Sequence, residues 1–233
     1  MASTYKPVDA FDFSKTMINK MKLEQVEVRI LDTAMKVFWM AAPWRWTIGA
    51  LPNITLLAAT QSYPIALPAD FLYGLECVQT DQAGGTPRDI LVVPAVKPGG
   101  LIGGTSQIAF SGVSGTMGTA LITPIPGTLP VPQYLLSLYK KQAPTLTASN
   151  IYTKGIQVFD DEYFHVFESG VLWASYLYAD DQRAGSAQAD NKGGYSFTGQ
   201  RAIFEANIEW MREREPMHIS DPRNVPDTIQ RGR

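Results

Sequence analysis

The chain has 233 residues with 45% hydrophobic side chains, enough for one domain or two small ones with a real core and too apolar for disorder along most of its length. Its formal charge of −2 excludes a generally basic nucleic-acid binder, and its single cysteine, Cys77, excludes an internal disulfide and a thiolate metal cage. Charged residues are only 18%, against about 25% in an average globular protein, and the deficit is local: residues 98–139 form 42 consecutive positions without Asp, Glu, Lys or Arg. Eight Gly and five Pro interrupt that stretch, so it is no membrane span, which needs about 20 unbroken apolar residues. The N-terminus lacks the basic and apolar regions of a signal peptide, so the expectation is a protein made in a cytoplasm.

In chain order, residues 1–13 read as an arm. Ser14 is the candidate N-cap of a helix running to Ala42, with Val26, Ile30, Ala34 and Val37 on its apolar face and Pro43 ending it. After Trp44-Arg45-Trp46 the period changes. Short β-branched runs at 54–58, 62–65, 75–80, 89–93, 106–111, 120–123 and 134–139 alternate with Gly- and Pro-containing turns, which predicts a small antiparallel sheet or sandwich. Helical spacing returns with Phe164, Phe167, Val171, Ala174 and Tyr178, behind the helix-start charges Asp160 and Asp161. A polar segment from Gly185 to Gly194 precedes a last helix carrying Phe197, Arg201, Phe204, Ile208 and Met211, which stops before Pro216. Residues 216–233 read as an extended tail.

The expected fold class is therefore α+β: an α-helical bundle of one N-terminal and two C-terminal helices, an inserted small antiparallel β-domain, and the tail. The expected segments are 1–47 and 151–215 for the helical domain, 48–150 for the β-domain and 216–233 for the tail.

Catalytic constellations are not legible. Gly99-Gly100-Leu101-Ile102-Gly103-Gly104 lacks the Gly-Lys-Ser/Thr that a phosphate loop needs, and reads as turns. Glu162, His165 and Glu168 share one helix at spacing i, i+3, i+6, half of a bundle metal site whose second half is missing. Cys77 sits in an apolar strand as a small hydrophobe, and no Gly-x-Ser-x-Gly elbow is present. The expectation is no enzyme, no metal and no cofactor. The aromatics carry more: Trp39, Trp44 and Trp46 crowd the first helix exit, and Tyr163, Trp173 and Tyr176 fall partly off the apolar face of the next helix. A three-helix bundle does not need apolar residues all round, so these six are candidates for packing between copies of the chain.

The segment Ala59-Thr60-Gln61-Ser62-Tyr63-Pro64-Ile65-Ala66-Leu67-Pro68-Ala69-Asp70-Phe71-Leu72 follows this Trp-rich exit. It is similar to the GTQxYxLPxDF stretch of bacteriophage head-to-tail adaptor (connector) proteins, the tail-tubular-protein-A-like family. Ile122-Thr123-Pro124-Ile125-Pro126, the strand at 134–139 and Ala143-Pro144-Thr145-Leu146-Thr147 resemble a second passage of that family. The helix from Asp161 to Arg183, with Gly170, Ala174, Tyr178 and Ala179, resembles its long packing helix.

The resemblance implies a structural virion protein of the neck, assembled in the host bacterial cytoplasm. It implies a homo-oligomeric ring of about twelve copies beneath the portal protein. Such a ring extends the DNA channel, with transient non-specific passage of double-stranded DNA, and receives the tail or nozzle protein; no membrane is involved. By the same resemblance the C-terminal tail docks on the portal, which makes Pro216, His218, Pro222, Arg223, Pro226, Arg231 and Arg233 its candidate residues. The alternative is a carbohydrate- or receptor-binding β-sandwich module, which would need exposed aromatics among Tyr63, Phe71, Tyr73, Phe110 and Tyr134.

Overall fold

The computed structural model describes residues 4–18, 21–81, 87–95, 106–127, 129, 131–155, 159–189 and 195–215. These divide into two compact units: the residues through Trp46 together with those from Ala143 onward, and Thr47–Gln142.

In the first unit, α1 (Pro7–Ile18) opens on a proline, whose missing N–H costs nothing in a first helical turn. The Asp9 carboxylate accepts a hydrogen bond from the Lys6 N–H at 2.7 Å beside it. A short 3₁₀ segment (Met21–Val26) leads into α2 (Glu27–Met40). This replaces the single helix expected from Ser14 to Ala42. Ser14 is no N-cap: it is buried inside α1, with its hydroxyl donating to the Ala10 carbonyl at 3.2 Å. The break has a geometric reason. Ile18 and Ile30 are buried, and a continuous helix would set them about 120° apart around its axis. Interrupting it lets both apolar stripes face one core.

At the exit of α2, the Trp44 indole N–H donates at 2.9 Å to the Phe38 carbonyl, which also accepts from the Ala41 N–H at 3.4 Å. A 3₁₀ turn (Asp161–Tyr163) then precedes α3 (Phe164–Tyr178). Helix α3 is the centre of the unit and packs against α1, α2 and α4 (Gly199–Arg214), so it is buried on nearly every side. The core also takes in Leu146, Ile151 and Phe159.

In the second unit the strands are β1 (Ile48–Ala50), β2 (Ile54–Thr55), β3 (Ser62–Ala66), β4 (Phe71–Asp81), β5 (Arg88–Val92), β6 (Gln107–Ser111), β7 (Met117–Thr123) and β8 (Gln133–Lys141). They form one eight-stranded sheet in the order β1-β8-β4-β5-β6-β7-β3, with β2 also pairing β8. All pairs are antiparallel except β5 with β6, which are parallel. A separate two-stranded ribbon, β9 (Ala187–Ala189) with β10 (Tyr195–Phe197), lies ahead of α4 in the first unit.

The expected fold class is thus corrected. A helical bundle carrying a small antiparallel sheet or sandwich is not what forms; the chain is mixed α/β and dominated by a large curled sheet, a half-barrel, with four α-helices among the described residues. Two physical features produce the difference. The segment between Val92 and Gln107 is far longer than the roughly two to five residues of a hairpin loop, and returns the chain for a parallel pairing. Two register irregularities in β4, between Phe71 and Tyr73 and between Gly74 and Glu76, bend the sheet.

The curl gathers a single core. Leu51 and Ile54 from one margin, Cys77 and Leu135 from the middle and Tyr63 and Ile65 from the other margin share one cluster. The Tyr63 hydroxyl accepts from the Leu57 N–H at 3.1 Å and donates toward the Thr60 carbonyl at 2.9 Å, tying margin strand β3 to the turn after β2.

Candidate interaction surfaces

Trp44 and Trp46 stack at 5.9 Å, and Trp46 also touches Phe159 at 6.2 Å and Tyr163 at 5.9 Å. Phe38 meets Phe159 edge-on at 5.0 Å beneath them. Trp173 stacks on Phe204 at 6.0 Å, with the Arg201 guanidinium 4.3 Å over its indole. The Tyr176 ring lies under Arg183 at 4.5 Å.

The six aromatics singled out for packing between copies therefore lie in this chain's own core. Trp39, Trp44, Tyr163 and Tyr176 are buried, and Trp46 and Trp173 are partly buried against it. The exposed large apolar side chains of the unit are others, among them Met17, Met40, Leu177, Tyr178 and Ile203.

The last described residue, Glu215, is a charged group with only 5% exposure. Its Oε2 accepts from the Tyr163 hydroxyl at 3.0 Å, and its Oε1 lies 3.3 Å from Nε of Arg45, which also meets Asp160 at 3.3 Å. Burial, then the hydrogen bond to Glu215, pushes the Tyr163 phenol up to about 12. This contact fixes the end of α4. Residues 216–233, with Pro216, His218, Pro222, Arg223, Pro226, Arg231 and Arg233, lie outside the described part.

Sequence reasoning missed Glu215, although a signal was present. It continues the spacing Phe204, Ile208, Met211 along the buried stripe of α4, and a carboxylate on an apolar stripe needs a buried partner.

The Glu162, His165, Glu168 series has ordinary surroundings. Nδ1 of His165 is 2.9 Å from the Glu162 carbonyl oxygen, and its ring packs edge-on against Trp210 at 5.1 Å. Burial raises the Glu168 carboxyl above the usual range. Among the described residues no group of three or more His, Cys, Asp or Glu could hold a metal ion, and no helix is long and apolar enough to cross a membrane.

In the sheet, Cys77 is fully buried; the Ser137 hydroxyl donates to its sulfur at 3.2 Å, and burial pushes the thiol up to about 11. The glycine series 99–104 lies outside the described residues. Of the aromatics that a sugar platform would require, Tyr63 and Phe71 are buried, Phe110 and Tyr134 are partly buried, and Tyr73 is exposed. A polar cleft of about 280 Å³ between the ends of β4, β5 and β8 is lined by Gln79, Thr80, Asp81, Arg88 and Gln133, with no aromatic wall.

Fold and surfaces together define a two-unit α/β protein, a helical core joined in sequence to a curled mixed sheet. No protein-family model matches the chain, and no curated protein matches it either.

Proposed function

We propose that this chain is a structural head-to-tail adaptor of a tailed bacteriophage: a non-enzymatic ring component that sits beneath the portal, continues the DNA channel and receives the tail. The observation that carries the reading is the ordered resemblance of residues 59–72, 122–147 and 161–183 to the adaptor family. The first two of these passages belong together physically. Residues 62–66 and 117–123 pair as β3 and β7, and the Ala59 N–H donates to the Pro126 carbonyl at 2.8 Å, so the ATQSYPIALPADF run and the Pro-x-Pro passage make one margin of the half-barrel.

In this reading the helical unit contributes the ring body and residues 216–233 reach the portal. The near-neutral balance suits a conduit, because a basic residue repeated around a ring would add many phosphate contacts at once. The channel wall accordingly carries no dominant basic belt. The carbohydrate-binding alternative gains little from a sheet whose aromatics are mostly turned into the core.

Co-expression of the full chain with the portal protein of the proposed virion tests the reading. The expected result is a portal ring carrying a second ring of this chain, lost when residues 216–233 are deleted. A chain that never co-purifies with portal rings refutes it.

A further inference from the structure

We draw no further inference here: the strongest candidate, the polar cleft between the ends of β4, β5 and β8, has its Gln79 and Gln133 carboxamides bonded to each other, the Thr80 hydroxyl bonded to the Asp81 carbonyl and none of its lining side chains buried, so nothing in the structure shows what would fill it.

Discussion

Gly170 lies at the closest approach of α3 and α4, and replacing it by alanine sets two opposing effects against each other. An added Cβ would lie 2.7 Å from Cζ and 2.8 Å from Cε2 of Phe204. Carbon atoms prefer about 3.5–4.0 Å, so the ring or the helix must shift by roughly 1 Å. Phe204 has little room to yield: it is fully buried, stacked on Trp173 at 6.0 Å and flanked by the Arg201 guanidinium at 5.6 Å. Overpacking of this kind costs about 1–3 kcal/mol. Alanine in a helix interior returns about 1 kcal/mol over glycine. Overpacking wins, and Gly170→Ala should lose about 1 kcal/mol net, with about 2 as the upper figure. The sign is the stringent part. In a Phe204→Leu background the obstructing ring is gone, and the same Gly170→Ala change should stabilise by about 1 kcal/mol. Urea unfolding followed by tryptophan fluorescence reads this directly, because all five tryptophans (Trp39, Trp44, Trp46, Trp173 and Trp210) belong to the helical unit. A Gly170→Ala chain more stable than the natural one, with Phe204 intact, refutes the close-packing argument.

Glu215→Ala removes the acceptor of the Tyr163 hydroxyl and should cost the helical unit about 1.5–3 kcal/mol in the same unfolding assay, since Arg45 is largely exposed and its ion pair adds little. Cys77, held up to about 11 by burial, should resist alkylation in the folded chain near neutral pH and take one adduct after denaturation, read by mass. Because its folded pKa lies above the ordinary 9.0, the stability tied to it is intact below 9.0 and is lost as pH rises through about 11. Burial likewise raises the Glu168 carboxyl, so its ionisation opposes folding as pH climbs through the carboxylate range. Glu168→Gln should therefore be more stable than the natural chain at neutral pH, with the gain vanishing in acid, as thermal unfolding across pH will show. Tyr63→Phe should lower sheet stability by about 1 kcal/mol, because it unties the turn after β2 from β3; amide exchange at Leu57 should accelerate.

Seven strands were legible because each combines alternating or β-branched residues with flanking Gly or Pro, a local signal. Ile48–Ala50 was not, being too short to alternate, and it exists as a strand only through its pairing with β8. The parallel β5–β6 pair and the curl were out of reach for a different reason: both depend on contacts between segments distant in sequence. In the helical unit the serine at position 14 imitates a helix start, while the proline at position 7 makes one, and only the phase between Ile18 and Ile30 discriminates the two. The apolar girdle of α3 exceeds what a three-helix count can bury. Within the chain α1 is a further neighbour of α3, Tyr163 is covered by Trp46 and Trp210, Trp173 by Phe204 and Arg201, and Tyr176 by Arg183.

This changes where the adaptor reading is to be sought. The run from residue 59 to residue 72 is intelligible as folding chemistry: Tyr63 ties the margin, Pro64 blocks the free edge, and the Asp70 carboxylate accepts from the Tyr139 hydroxyl at 2.7 Å where β4 begins. A sequence that builds such a half-barrel needs these residue types whatever the protein does. Assembly makes a separate demand, for surface left over once the core is complete. The tryptophans do not meet it, because the core consumes them.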